Sequence, residues 1–175
     1  PIISKQATTD NNTAEFNLQV QGPINGNVNF FLGNGSGYSD VSGNNANDQD
    51  INLNTWTHIA AVVEGTNMLL YINGQLSGTS TFTGTRQNSS SPVQIGRYEN
   101  AQLQFWPGLL DEVRIWNTAR NASDIAANAN NELNGNEAGL VAYYDFVDGS
   151  GLTVTDAAAT NDGTINGGAT WTTTG

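Results

Sequence analysis

The sequence predicts an all-β fold, a sandwich or barrel of short antiparallel strands, and three observations support it. The chain is rich in Asn, Gly, Thr and Ser and poor in Lys, which favours turns and strands over helices. Short apolar segments recur at regular spacing with turn residues between them. Asn-Gly pairs, which suit the positive φ angles of hairpin turns, occur at 25–26, 34–35, 73–74, 134–135 and 166–167.

The first half of the chain contains the clearest strand signals. Strands are predicted near 15–21 and 27–32, joined by a Pro-Ile-Asn-Gly turn. The segment from Ile59 to Val63 is apolar on both faces, which predicts a central strand covered on both sides. "NMLLYINGQLSG" is a hairpin with Asn73-Gly74 at its turn.

The second half predicts three more strands, one helix and a short-stranded tail. The strands lie in "PVQIGRY", "GLLDEVRIW" and "GLVAYYDF". The helix is "NASDIAANANNELNG", with Asn121 or Ser123 as its cap, Gly135 as its stop, and Ile125 and Leu133 facing the sandwich. The tail after the last strand reads as short strands separated by Asp/Gly loops.

Composition excludes several classes of function. The 175 residues include 5 Lys+Arg and 16 Asp+Glu, a net charge of −11. Binding to nucleic acid or to anionic membranes needs clustered cations, so we expect neither partner. No Cys is present and no apolar stretch approaches 18 residues, so the sequence predicts no disulfide and no membrane insertion.

Several segments resemble the laminin-G-like (concanavalin A-like, pentraxin-related) domains of secreted bacterial proteins. They are "NTWTHIAAVVEGTNMLLYINGQLSGT", "VQIGRYENAQLQFWPGLLDEVRIWNTARNASDIAANANNELNGNEAGLVAYYDFVDGSG" and "NDGTINGGATW", within residues 50 to 171. The resemblance implies a jelly-roll of two curved antiparallel sheets, which makes residues 1–175 one domain with 136–175 packed on the same sandwich.

The start of the chain departs from that family pattern. Domains of this family usually open with a strand pair before the segment that matches "IISK", whereas this chain begins within that segment, at Pro1. We therefore expect a piece of a longer polypeptide, or two strands supplied by a neighbouring chain, because an unpaired inner edge invites aggregation.

The stretch "LLDEVRIW" raises the question of a metal site. If the whole stretch is a strand, Asp111 shares a face with Val113 and Ile115, and a buried carboxylate needs a partner. The resemblance implies a structural Ca²⁺, since related folds use an Asp of a late strand to bind calcium. Arg114 or a backbone N–H is the alternative holder, and Glu112, on the opposite face with Arg114, is expected in a cross-strand ion pair.

Two further acidic groups enter the calcium prediction. "SDVSGNNANDQD" contains Asp40 and Asp48 and superficially resembles a calcium loop, but it lacks the Gly and Glu of an EF-hand. A solvated surface loop is the alternative interpretation. The carboxylates at 145, 148, 156 and 162 lie in turn sequences such as "DGSG", so turn hydrogen bonding is the expectation for them. The alternative is that one of them joins a metal when the tail folds against the sheet.

Aromatic residues supply the candidates for sugar binding. Tyr38, Tyr98, Phe105 and Trp106 lie near predicted loops, where an exposed ring beside Asn, Asp or Gln makes a glycan platform. Core packing remains the alternative for Trp106. The resemblance places Trp56, Trp116 and Trp171 in the core.

The residues disfavour catalysis. His58 is the sole His, it lies in an apolar segment, and no Cys can act as nucleophile. Asp111 and Glu112 are adjacent and point to opposite faces, so they cannot form a retaining glycosidase pair. We therefore expect no enzyme.

Two functions remain. The first is an extracellular adhesion or carbohydrate-binding module of a secreted or surface protein, stabilised by calcium, with a glycan or polysaccharide as partner. The second is a structural module of a large adhesin or filament, whose partners are neighbouring domains or subunits of the same surface protein.

Overall fold

The computed structural model describes residues 1–6, 9–21, 26–43, 51–98 and 104–172. Its strands are β1 (Ile3–Lys5), β2 (Phe16–Gln21), β3 (Asn27–Gly33), β4 (Tyr38–Ser42), β5 (Ile59–Glu64), β6 (Asn67–Ile72), β7 (Gln75–Thr81), β8 (Gln94–Ile95), β9 (Val113–Trp116), β10 (Leu140–Tyr144), β11 (Thr153–Val154) and β12 (Gly163–Thr164). The helices of the described ranges are a 3-10 turn, Asn11–Thr13, and α1 (Ala122–Asn128). All of the strand pairs in these ranges are antiparallel, so the predicted all-β class is confirmed.

The chain forms two compact units. The first contains Pro1–Gly108 with Asn121–Ala129, and the second contains Leu109–Arg120 with Asn130–Gly175. That residues 136–175 pack on the same sandwich as one domain stays a prediction.

The first unit contains a five-stranded sheet in the order β4-β3-β2-β1-β8. Alternation divides its side chains between two faces, as strand geometry requires. Leu18, Phe30 and Val41 belong to the apolar core, whereas their alternate neighbours Asn17 and Asn29 lie on the opposite face. We name that second face the outer face.

The second sheet of this unit is β5-β6-β7, and it packs on the core face of the first. Met68 and Leu70 of β6 are fully buried in the same cluster as Leu18 and Phe30. The β6–β7 turn has positive φ at both central residues, 50° at Asn73 and 77° at Gly74, as the Asn-Gly pair predicts. Two antiparallel sheets around one core make a sandwich.

Strand β5 differs from its prediction in one respect. It lies at the edge of its sheet, because β6 of the hairpin takes the central position. As predicted, both faces of β5 are nonetheless covered by other side chains. Val63 packs on the sandwich core, and Val62 packs with Tyr71 and with Ile125 of α1 on the other side.

Helix α1 is shorter than predicted. The Asn121 side chain caps it by accepting a 2.9 Å hydrogen bond from the Asp124 N–H, and Ile125 is buried as expected. The helix ends at Asn128, because Asn130 and Asn131 have poor helix propensity, so neither Leu133 nor Gly135 belongs to it. Among the described residues, no helix has the length and apolarity needed to cross a bilayer.

The second unit contains two strand pairs, β9 with β10 and β11 with β12. Strand β9 begins at Val113, later than the predicted strand, because Glu112 has a left-handed φ of 55°. That turn breaks the alternation, so the expected face shared by Asp111, Val113 and Ile115 does not form.

Candidate functional site

Edge strand β4 presents three polar or aromatic side chains on the outer face. Tyr38, Asp40 and Ser42 alternate with Val41, which points into the core. Across the strand pair, Asp40 lies opposite Phe31 and Ser42 lies opposite Asn29. We name the five residues of this outer-face group the β4 platform: Tyr38, Asp40, Ser42, Phe31 and Asn29.

Tyr38 supplies an accessible ring to the platform. It is 51% exposed, and it packs edge-on against the buried ring of Phe31 with centroids 5.3 Å apart. Its hydroxyl makes no hydrogen bond with any residue that the structure describes. The ring is therefore held from one side and open to a ligand on the other.

The polar members of the platform form a short chain of hydrogen bonds. Asn29 donates through Nδ2 to the Ser42 hydroxyl, and that hydroxyl donates to Asp40 Oδ2 over 3.5 Å. The Asn29 Oδ1 atom is buried and has no partner within the described ranges. Asp40 is thus part of a strand, which corrects the prediction of a solvated loop around it.

Tyr98 does not lie at the surface, so its prediction as a platform residue is wrong. It is 4% exposed, its hydroxyl donates to Gln19, and it accepts a 3.2 Å hydrogen bond from Asn17 Nδ2. Burial raises the pKa of the Tyr98 hydroxyl, although the bond from Asn17 lowers it. Sequence could not show this, because Asn17 and Gln19 are some eighty residues away along the chain.

Phe105 and Trp106 lie beside the opposite edge of the sheet. The backbone N–H of Trp106 donates to the carbonyl of Gly96, directly after β8, over 2.7 Å. The exposed Phe105 ring is 5.8 Å from the Arg97 guanidinium carbon, a cation–π contact. Four strand spacings, about 19 Å, separate β4 from β8, so these two rings do not join Tyr38 in one platform.

The tryptophans expected in the core have different environments. Trp56 is 54% exposed in the segment before β5, so its placement in the core is wrong. Trp116 is half-buried beneath the Arg120 guanidinium, at 4.4 Å, and Trp171 donates to the Gly151 carbonyl over 2.9 Å.

Asp111 is exposed and precedes the strand, so it does not need a buried partner. The backbone N–H of Glu112 donates to its Oδ1 over 2.9 Å. Partial desolvation raises the pKa of Asp111, that hydrogen bond lowers it, and the carboxylates of Glu112, Asp145 and Glu132 raise it further. A backbone donor, one of the predicted alternatives, therefore contacts this carboxylate.

Glu112 instead takes part in a partly buried network of hydrogen bonds. It pairs with Arg114 two residues away, rather than across strands, and accepts from the Tyr143 hydroxyl over 2.8 and 2.9 Å. The Leu133 N–H donates to the same hydroxyl over 3.2 Å. Desolvation, followed by the bond to Glu112, raises the pKa of Tyr143 to about 12.

Carboxylates of the tail make local turn hydrogen bonds, as predicted, and Asp156 also accepts a bond from strand β10. Asp156 is buried and accepts from the backbone N–H groups of Tyr143, Ala158 and Asn161 over 2.9 to 3.1 Å. Burial alone would raise its pKa, but these donors outweigh burial and hold the pKa below its usual range. Asp148 accepts from both the N–H and the hydroxyl of Thr155.

The structure describes two of the three predicted metal ligands, Asp40 and Asp111. Within the described ranges, no three His, Asp or Glu side chains are placed to hold a metal ion. Asp40 belongs to the first compact unit and Asp111 to the second. Asp48 lies outside the described residues. Calcium binding stays a prediction.

Sequence reasoning missed Ser42 and Asn29 as neighbours of Tyr38 and Asp40. The signal for Ser42 was present, because Tyr38, Asp40 and Ser42 alternate around Val41 as a strand with one polar face. Asn29 carries no such signal, since only the pairing of β3 with β4 places it there.

A family model described as "Concanavalin A-like lectin/glucanases superfamily" matches residues 1–126 of the chain. The comparison with curated proteins found no match. A similar solved structure is the S-layer domain-containing protein (residues 221–444) from Clostridium thermocellum, with a TM-score of 0.38 and 20% identity. That match covers 71% of this chain and 59% of the other.

Proposed function

Because the chain belongs to the Concanavalin A-like lectin/glucanases superfamily, we propose that it is an extracellular carbohydrate-binding module of a secreted or surface protein. The family assignment fits either a binding module or a structural one, and domains of this family are generally non-catalytic. The β4 platform supports the first of these.

The observation that carries the proposal is the half-exposed ring of Tyr38 beside a carboxylate on the outer face. The apolar face of a sugar ring stacks on an aromatic side chain, and its hydroxyls need polar partners at the rim. Alternate residues of a strand are about 7 Å apart, so a sugar on Tyr38 has its hydroxyls within reach of Asp40.

Removal of the Tyr38 ring tests the proposal. We expect the protein to bind at least one polysaccharide in a glycan screen, and Tyr38→Ala to weaken that binding about tenfold, or about 1.4 kcal/mol. Tyr38→Phe keeps the ring and loses a hydroxyl with no partner in the described chain, so it should bind normally. Isothermal titration calorimetry measures each variant.

Two other exposed rings provide matched controls. Trp56→Ala and Phe105→Ala each remove an exposed aromatic side chain that is not a member of the β4 platform, and each should leave affinity unchanged. Loss of binding in either variant, with Tyr38→Ala unaffected, would contradict the platform. Absence of binding to every glycan would favour the structural module of an adhesin or filament.

Calcium stabilisation is the second part of the proposal. Desolvation is the main cause of the raised pKa of Asp111, and the carboxylates of Glu112, Asp145 and Glu132 raise it further. A divalent cation at Asp111 would relieve the repulsion among these carboxylates, which is the reason to propose one. The described side chains do not complete a site, so backbone carbonyls and water would have to supply the other ligands.

A further inference from the structure

The charged member of the β4 platform, Asp40, offers hydrogen-bond acceptors to a ligand. The carboxylate of Asp40 can accept hydrogen bonds at both oxygens, and the only donor that reaches it among the described residues is the Ser42 hydroxyl, to Oδ2 over 3.5 Å. Asn29 directs its amide N–H to Ser42 and leaves a buried Oδ1 without a partner in the described part of the chain. A ligand that contacts Asp40 must therefore bring donors, whereas the buried Asn29 Oδ1 is closed to a ligand.

Basic side chains are engaged elsewhere. Ion pairs join Lys5 to Glu15 and Arg114 to Glu112. Arg86 donates to the Gly65 carbonyl. Arg97 and Arg120 have partners of their own, the Tyr98 carbonyl and the Trp116 ring. The charge of Asp40 is therefore not neutralised by any cation that the structure describes, in a chain with net charge −11.

We infer that the β4 platform is selective for a neutral sugar ring, which stacks on Tyr38 and donates hydroxyl hydrogen bonds to Asp40, and that Asp40 excludes acidic sugars. The inference rests on the proposed function and adds the class of ligand. Two neighbouring hydroxyls can donate to the two oxygens of one carboxylate, as charge-assisted bonds. A uronic acid would place a second carboxylate near Asp40, and like charges repel strongly where water is partly excluded.

A matched pair of ligands tests the inference. The first ligand is a neutral oligosaccharide that binds in the glycan screen, either a glucan or another neutral hexose oligomer. The second ligand is the same oligosaccharide oxidised at C6 to the uronic acid. We expect the native protein to bind the neutral form at least tenfold more tightly. Asp40→Asn, which has the same shape, should weaken neutral binding about fivefold and reduce the preference to below about threefold.

Glu64→Gln is the control, because it removes one negative charge from an exposed position at the end of β5. Glu64→Gln should keep the native preference for the neutral ligand over the oxidised one. If net charge alone caused the preference, Glu64→Gln and Asp40→Asn would reduce it equally. Thermal unfolding of each variant establishes that it is folded. The preference should also narrow from 20 mM to 500 mM salt, because screening weakens repulsion.

The outcomes separate this inference from the proposed function. The selectivity would be overturned if the native protein bound the neutral and oxidised ligands equally, or if Asp40→Asn and Glu64→Gln changed the preference equally. Loss of binding in Tyr38→Ala would, in either case, still support the β4 platform as the sugar-binding site. Failure of the native protein to bind any sugar would overturn both.

Discussion

At the scale of single residues, one tyrosine hydroxyl joins two separate segments of the second unit by hydrogen bonds. Tyr143 is 2% exposed, and its hydroxyl both donates to Glu112 and accepts from the Leu133 N–H. The guanidinium of Arg114 lies 5.7 Å from the centroid of the same ring. Because Glu112 adopts a left-handed φ of 55°, these contacts hold a conformation that a free glutamate rarely adopts.

Tyr143→Phe should therefore destabilise the protein. The substitution leaves the Leu133 N–H and the Glu112 carboxylate without the hydroxyl, which should cost about 1–3 kcal/mol of unfolding free energy. Urea unfolding at pH 7 measures the change. A value within 0.5 kcal/mol of the native protein, roughly the scatter of neutral surface substitutions, would show that water replaces the hydroxyl.

The raised pKa of Tyr143 predicts a loss of stability in alkali. The folded pKa of about 12 exceeds the value of 10.0 in the unfolded chain, so the full contribution is present below pH 10. It is lost as the pH rises from about 10 to about 12, because the unfolded tyrosine ionises first. Unfolding free energy should fall less steeply over this range in Tyr143→Phe, and an identical slope would refute the assignment.

At the scale of elements, strands β4 and β7 approach closely at one edge of the sandwich. A Cβ placed on Gly78 would overlap the backbone carbonyl oxygen of Ser42, so only glycine fits there. The β6–β7 pairing shifts register at this position, which is the irregularity that lets the two strands meet. Ser42 belongs to the β4 platform, so Gly78 also influences the position of the candidate site.

Gly78→Ala should cost about 1–3 kcal/mol of unfolding free energy, because backbone must move to admit the methyl group. Gly37→Ala is the control, since the nearest atom to a Cβ there is Asn34 Oδ1 at 3.9 Å and φ is not positive. Thermal unfolding compares the two variants. Equal melting temperatures would mean that the strands can separate at no cost.

Asp156 connects β10 to the segment between β11 and β12. Asp156→Ala removes the acceptor of several N–H groups and should lower the unfolding free energy by about 2–4 kcal/mol. Since the folded pKa of Asp156 is depressed, its contribution is present above the unfolded value near 3.8 and is lost as pH falls through the folded value. The native protein should therefore lose more stability in acid than the variant does.

Asp148→Ala is the comparison for Asp156, because Asp148 is hydrogen-bonded to Thr155 but remains largely solvated. Asp148→Ala should therefore lower the unfolding free energy less than Asp156→Ala does. Chemical unfolding followed by tryptophan fluorescence measures the unfolding free energy of both variants, because Trp171 lies in the same unit. A larger effect of Asp148→Ala would contradict the role assigned to burial.

At the scale of the whole molecule, a net charge of −11 favours solubility and divalent cations and opposes anionic partners. Self-repulsion of this size also lowers stability at low ionic strength. A rise in melting temperature with any salt is therefore expected, and it must be separated from specific calcium binding.

Calcium should raise the melting temperature more than Mg²⁺ does at equal ionic strength, because a ligand of the native state stabilises it by mass action. The gain in unfolding free energy should reach about 2.7 kcal/mol at a calcium concentration a hundredfold above Kd, and it should be absent in Asp111→Asn. Asp124→Asn, in α1, controls for the loss of one charge. Identical curves with the two cations would rule out the calcium proposal.

Local sequence alone determined the all-β class, the Asn73-Gly74 hairpin, strands β2, β3 and β6, and the cap at Asn121. Each depends on neighbours within a few residues, through side-chain alternation, turn dihedral angles or one capping bond. The same information placed Tyr38 and Asp40 among the candidate residues.

Tertiary structure decided what depends on contacts between distant segments. It buried Tyr98 against Asn17 and Gln19, left Trp56 in solvent, and moved β5 to a sheet edge. A left-handed Glu112, stabilised by Tyr143, removed Asp111 from the strand that its apolar neighbours had predicted. Burial and strand order are set by which segments pair across the fold, and a period-two pattern specifies a strand's faces without specifying its partners.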